Sequence, residues 1–362
     1  MRVDRSKTQD SVITSSEMTE TDSRGEREAP TTGGRPPFDE LDLALIDALQ
    51  TSPRAAWSQI GTALGIGATT AARRWQRLTE NGLSWVTAYP TPSDDHCVAY
   101  VEVRCAPGTI EQLIDRLVAD PRVFSLEQVA GDFDLFLSVA MRGPAELARF
   151  LSHDLGAHDG LLSVNTRVSL RGYREGSSWR VRALDRDQRA QLGPQPAWTH
   201  ADASASPDRV LLRALGGDGR RSYAELAAVT GIAEPTARRR VQRMIRQGEI
   251  LFRCDFAQQL AGWRLIATYR MNVPADRLDE TARELSALPD VRLCAAVTGN
   301  CNLLVSVWSR SAEEIARLEG HFGERIPGVS ITARTVTLRT VKRMGQLLNP
   351  DGTATEHIPL EM

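Results

Sequence analysis

Lysine is almost absent from this chain. Lys7 and Lys342 are the only two, although lysine and arginine together number 44. Arginine is therefore the background cation, and an arginine carries meaning only through its position. Apolar runs long enough to cross a membrane are also missing, which excludes a helical membrane protein. The beginning of the chain shows no hydrophobic signal core, so a cytoplasmic location is expected, at the nucleoid if the chain binds DNA. The five cysteines (Cys97, Cys105, Cys254, Cys294, Cys301) show neither CxxC nor Cys/His zinc spacing and are expected as buried free thiols. A net charge of −2 excludes a general polyanion binder, so any nucleic-acid contact must come from a local patch. No Ser/His/Asp set, metal cluster or Gly-rich phosphate loop stands out. Catalytic residues, metal ligands and cofactors are accordingly not expected.

The 362 residues are 41% hydrophobic and 25% charged, which suits two or more domains with real cores. Residues 1–37 are rich in Ser, Thr, Glu, Arg, Gly and Pro and read as a disordered tail. Residues 38–90 hold three short helical patterns, "FDELDLALIDALQ", "WSQIGTALG" and "IGATTAARRWQRLTENGL". Asp39 can cap the first, Gly65 ends the second, and Asn81-Gly82 stops the third. Residues 97–170 then alternate as β-α-β-β-α-β, the ferredoxin-like order. A polar linker is expected over 171–207, with a short helix near Leu184–Leu192. The whole order then recurs, with three helices over 208–255 and β-α-β-β-α-β over 262–343, before a C-terminal tail at 344–362. This is a tandem duplication of a two-domain unit.

The third helix of each block decides what the blocks do. In "TAARRWQRL", Ala71, Trp75 and Leu78 fall on one arc, with Thr69, Thr70, Arg73, Arg74 and Arg77 opposite. In "TARRRVQRM", Ala237, Val241 and Met244 face inward, with Thr236, Arg239, Arg240 and Arg243 outward and Arg238 adding charge. An arginine face bearing threonine hydroxyls suits a DNA major groove, because guanidinium bonds guanine edges in pairs or clamps phosphates. The copies differ. Ser222 and Glu225 form a capping box that Ala56 and Gln59 cannot. Arg246 and Arg253 add positive charge in or after the second copy's third helix. The second copy is thus expected to contribute more phosphate affinity.

These residues carry a family resemblance. "LDLALIDALQ", "TTAARRWQRLTENG" and a β-α-β-β-α-β domain containing "GDFDLFLSV" resemble the Lrp/AsnC transcription regulators. "TARRRVQRMIRQGEI" followed by "VTGNCNLLVSVW" resembles them again. The resemblance implies an α+β fold: two helix-turn-helix, winged-helix-like domains alternating with two ferredoxin-like βαββαβ domains. It implies double-stranded DNA and a small-molecule effector such as an amino acid as partners, an internal pseudo-dimer, and a homo-oligomer of the chain. Effectors of the family bind near a Gly-Asp-x-Asp loop, which Gly131, Asp132 and Asp134 match. Gly299, Asn300 and Asn302 stand there in the second copy, without the charge. Gly67 and Ala233 replace the family's usual serine at the start of the third helix. Two alternatives stay open. One is an enzyme on the same architecture, like the siroheme decarboxylases. None of the six histidines recurs in both halves to support it. The other is a ligand-binding scaffold whose first helix-turn-helix has decayed.

Overall fold

The computed structural model describes residues 37–92, 96–193, 208–326 and 328–361; nearly all of the expected tail at 1–37 lies outside them. Helix α1 (Glu40–Thr51) starts at Asp39, whose carboxylate accepts from the Asp42 amide while Asp42 returns the bond. Helix α2 (Trp57–Leu64) has no side-chain cap, and Gly65 ends it at φ 67°. A Cβ on Gly61 would lie 2.6 Å from the Ile66 carbonyl, so glycine lets the turn into the next helix close tightly. Helix α3 (Ala68–Glu80) buries the expected stripe of Ala71, Trp75 and Leu78. Strand β1 (Ser84–Pro90) follows.

The first ferredoxin-like unit comprises β2 (Cys97–Cys105), α4 (Ile110–Val118), β3 (Val123–Ala130), β4 (Leu135–Met141), α5 (Pro144–Arg149) and β5 (Leu161–Arg174). Helix α5 runs on as a π-helical turn at Phe150–Leu155. Helix α6 (Arg186–Leu192) lies in the stretch read as linker, and β5 extends into that stretch as well. The three-helix block then repeats as α7 (Arg209–Gly216), α8 (Tyr223–Thr230) and α9 (Glu234–Arg246), followed by β6 (Ile250–Phe256). The second ferredoxin-like unit is β7 (Leu265–Asn272), α10 (Leu278–Ala287), β8 (Val291–Val297), β9 (Leu303–Ser309), α11 (Ala312–Arg325) and β10 (Ser330–Arg343). A hairpin of β11 (Gln346–Leu348) and β12 (Ala354–His357) occupies the C-terminal stretch.

The two ferredoxin-like units join edge to edge. Strand β5 pairs with β8, and β10 pairs with both β7 and β3, all antiparallel. The ring β3-β4-β2-β5-β8-β9-β7-β10 therefore closes on itself. Closure leaves neither unit an unpaired edge. Alternation along the strands fills both faces. Val101 and Val103 pack with α4 residues Leu113 and Leu117, whereas Tyr100 joins Phe136, Ala295 and Leu304 in another cluster.

The helix-turn-helix blocks are joined as well. Strands β1 and β6 form an antiparallel ribbon, Ser84 opposite Phe256 and Pro90 opposite Ile250. Helix α1 packs on β6 and α7 on β1, so each block closes against the other copy's strand. Their side chains form one hydrophobic core. Trp179, from the stretch read as linker, enters it with ring centres 5.0 Å from Trp308 and 6.1 Å from Phe256. The C-terminal hairpin is tied in through the Ala354 amide, which donates to the Gly82 carbonyl at 2.7 Å.

Candidate nucleic-acid interface and effector loops

The arginines of α3 divide by partner. Arg74 donates to Asp39 and Asp42 at 2.8–3.0 Å, and Arg77 pairs with Asp42. Asp42 is nearly fully buried, so these contacts clamp α3 to the start of α1. They also hold the Asp39 carboxyl down at about 2; burial opposes the shift, and hydrogen bonds from Arg74 and the Asp42 amide outweigh it. Thr69 and Arg73 are exposed and Thr70 is half-buried. Arg73 makes no ion pair among the described residues.

The second copy repeats this arrangement. Arg240 reaches Asp208 at 2.8 Å, and Asp208 stands where Asp42 stands in the first copy. Arg243 lies 3.4 Å from Glu249, and Arg238 lies 3.4 Å from Glu234 with its guanidinium over Tyr223. Arg239 and Arg246 are exposed, Thr236 half-buried. Arg73 and Arg239 thus occupy equivalent positions, both outward and both without an ion pair among the described residues. Arg253 does not add to this face. It is 8% exposed, on β6, ion-paired at 2.7 Å with the fully buried Asp255. A strand inside the ribbon cannot present it to a groove.

The Gly-Asp-x-Asp loop and its counterpart are turns between paired strands. Gly131 has φ 152°, and a Cβ there would meet the Thr335 methyl at 2.6 Å. Asp134 accepts from the Cys105 amide at 2.7 Å. Asn302 bonds both the amide and the carbonyl of Val273, at 3.0 and 2.7 Å. Those two side chains serve the backbone. Asp132 is the exposed group, 3.4 Å from Arg270, while Asn300 accepts from Arg167 at 2.9 Å beside Gly299.

Behind these loops lies a charge network that the residue pattern gave no reason to single out. Glu102 pairs with both Arg167 and Arg270, and all three are buried. Aligning "GDFDLFLSV" on "GNCNLLVSV" puts Glu102 and Arg270 at equivalent positions. That comparison of the halves was the available signal. A cavity of about 420 Å³ is lined by residues from all eight strands of the ring and by Tyr89 and Arg253 of the ribbon. The cysteines named from the sequence are all free and buried. Among the described residues no His/Cys/Asp/Glu group could hold a metal ion, and no helix is long and apolar enough to cross a membrane.

Comparison with known proteins agrees with this organisation. A family model described as the Lrp/AsnC ligand binding domain matches residues 98–179 and again 267–347. A model of the AsnC-type helix-turn-helix domain matches 38–79 and 207–245. An uncharacterized HTH-type transcriptional regulator of Pyrococcus abyssi is 32% identical over 139 residues, 38% of this chain and 87% of that protein. The HTH-type transcriptional regulator FL11 of Pyrococcus horikoshii is 26% identical over 141 residues, 39% of this chain and 93% of that protein. Each relative thus corresponds to one half of the duplication. Among solved structures, the siroheme decarboxylase NirDL in complex with an iron-uroporphyrin III analogue superposes with TM-score 0.53 at 15% identity, covering 84% of this chain and 93% of that one. At that identity the likeness shows a shared fold and nothing further.

Proposed function

The chain belongs to the Lrp/AsnC family of transcription regulators, and from that premise we propose that it reads DNA as a pseudo-dimer within one polypeptide. The observation that carries this reading is the repeated exposed arginine, Arg73 on α3 and Arg239 on α9, in two blocks locked by the β1–β6 ribbon. Recognition helices fixed in this way suit half-sites roughly 34–36 Å, one helical turn, apart. Thr69, Thr70, Arg73 and Arg77 would meet the first half-site; Thr236, Arg238, Arg239 and Arg243 the second. Arg74 and Arg240 act mainly by orienting their helices. Since the two readers differ, the operator need not be a palindrome. An amino acid or related metabolite is the proposed effector, at Gly131, Asp132 and Asp134 and at Gly299, Asn300 and Asn302. Asp132, largely exposed though 3.4 Å from Arg270, is the group proposed to meet an ammonium. Assembly of several chains, a cytoplasmic site at the nucleoid and the absence of catalysis complete the proposal.

Genome-wide footprinting with and without candidate amino acids tests it. Discrete protected sites, shifted by an effector, are expected; no protected site under any condition defeats it.

One observation favours a second reading. The likeness to a siroheme decarboxylase spans both halves, and the barrel holds a cavity. Adding siroheme or haem and recording the absorbance discriminates between the two. A shifted, saturable band with loss of carbon dioxide would favour the enzyme.

A further inference from the structure

We propose that the cavity inside the barrel is a second small-molecule site, that it takes a small organic polycarboxylate, and that its occupancy is felt by the β1–β6 ribbon. Only the consequence for DNA rests on the regulator reading; the binding site stands on its own geometry. None of the Gly-Asp-x-Asp loop residues lines this cavity.

The charge balance is the first argument. Five arginines (Arg171, Arg174, Arg253, Arg292, Arg343) line the cavity, against two carboxylates, Glu127 and Glu175. Arg171 is largely exposed and satisfied by Asp279. The other four face three carboxylates, Glu127, Glu175 and Asp255, one too few. Arg253 and Arg292 share one carboxylate, that of Asp255. Arg343 donates to the neutral oxygens of Gln258 and Thr340, and Arg174 to the carbonyls of Ser286 and Leu288. Glu175 accepts from the Tyr89 hydroxyl and from Ser177. Burial pushes the Glu127 carboxyl up, and it accepts from the Thr337 hydroxyl.

Arg253, Arg292 and Arg343 are 8%, 6% and 4% exposed, and Nη1 of Arg292 has no hydrogen-bond partner among the described residues. Burial, with Arg253 close by, drives the Arg292 guanidinium well below its ordinary range. A buried guanidinium that keeps its proton needs a counter-anion. The protein supplies too few.

The walls narrow the class. The Arg292 guanidinium lies 3.7 Å over the Trp308 ring and that of Arg343 4.9 Å over it. Tyr100 and Phe136, on the adjacent strands β2 and β4, line the cavity with parallel rings, centres 6.0 Å apart. Guanidinium forks beside flat apolar walls match carboxylates carried on a flat apolar body. An inorganic anion would leave the walls unused. The two lining carboxylates already accept hydrogen bonds, Glu127 from Thr337 and Glu175 from Tyr89 and Ser177, and the arginine excess favours an anion over an ammonium. The volume is within the usual range for small-ligand sites.

Coupling follows from position. Arg253 belongs to the ribbon, and Asp255, two residues on, holds Arg292 of the barrel. A ligand carboxylate competes with Asp255 for both guanidiniums. Gly176 makes room for this cluster, because a Cβ there would lie 2.4 Å from the Arg253 guanidinium carbon.

Titration calorimetry of the full chain with trimesate, inorganic phosphate and L-leucine tests the site. Trimesate is expected to saturate a single class of sites, with no saturation by the other two in the same range. Arg343→Gln breaks no direct ion pair among the described residues and leaves Glu127 close to Arg292 and Arg253, so the fold should persist. It is expected to weaken trimesate about tenfold or more, while Asp132→Asn leaves binding unchanged. Failure of trimesate to bind the unaltered chain, equal binding of phosphate, or wild-type binding by Arg343→Gln would each overturn the assignment. For the coupling, trimesate should change the affinity of the unaltered chain for a footprinted DNA, and Arg292→Gln should abolish that change. Calorimetric binding with unaltered DNA affinity sinks the coupling alone. Calorimetric binding by a chain that footprints no DNA sinks the regulator reading alone.

Discussion

Neutralising Glu102 should cost far more stability than neutralising Arg270, although the two pair with each other. Glu102→Gln leaves Arg167 and Arg270 buried together with no buried anion between them. Removing one partner from a buried pair costs about 3–5 kcal/mol, because the remaining charge is stranded. Arg270→Gln leaves a balanced pair, Arg167 with Glu102. It also releases Asp132, whose side chain is 81% exposed and simply returns to water. The loss there is one charged hydrogen bond, about 1.5–3 kcal/mol. The double variant strands only Arg167, so it should be more stable than Glu102→Gln alone. Urea denaturation of the three variants, followed by far-ultraviolet circular dichroism, gives the comparison through their midpoints. An Arg270→Gln chain as unstable as Glu102→Gln, or additive losses in the double variant, would refute the reasoning.

Three further outcomes are expected. Arg239→Ala should flatten the slope of log affinity for operator DNA against log salt by about one. Arg240→Ala should leave that slope nearly unchanged and lower the melting temperature instead, since Arg240 is spent on Asp208; filter binding across a salt series with parallel melts separates them. A steeper fall in the slope for Arg73→Ala than for Arg239→Ala would remove the assignment of greater phosphate affinity to the second copy. Burial of the His357 imidazole, with Lys342 close by, pushes it down to about 4, from about 6.5. The unfolded chain then takes up a proton that the folded chain refuses, so stability falls as pH drops from about 6.5 to 4, by up to about 3 kcal/mol. Thermal melts across that window should show His357→Gln losing this component; an unchanged pH profile would exclude His357 as its source.

How much was legible in the sequence depended on whether a feature repeats. The three-helix blocks could be read because each carries a buried stripe and end signals, and Asp39, Gly65 and the Ser222–Glu225 box sit at the helix ends as expected. The two ferredoxin-like units could be read from strand alternation. The barrel could not. It depends on the ends of β5 and β10, where "SLRGYR" and "TLRTVKR" look polar although Thr340, Lys342 and Arg343 are buried and Leu170 and Leu338 are exposed, the reverse of the usual strand signal. Trp179 was read into a linker for a related reason: its partners, Trp263 and Trp308, lie far along the chain. The outward arginines illustrate a different gap. Helical phase placed Arg73, Arg74 and Arg77 on one arc, and only the position of Asp42 on a different helix separates the tethered pair from the free one.

Duplication within one chain permits what a symmetric dimer cannot. Where two identical subunits meet, equivalent positions carry the same residue on both sides. Here Glu102 and Arg270 are equivalent positions and carry opposite charges. A pairing of the second half with its own kind would oppose two buried Arg270 guanidiniums with no Glu102 between them. That pairing is penalised by desolvation as well as repulsion. The same divergence sets Arg292 where the first half has Phe124, and Arg343 where it has Glu175. Two of the cavity's five arginines, Arg292 and Arg343, are thus present in one half only. Unequal recognition helices, an unevenly charged cavity and a complementary central pair are three products of a single event. Once the halves were fused, each position could be selected separately from its twin.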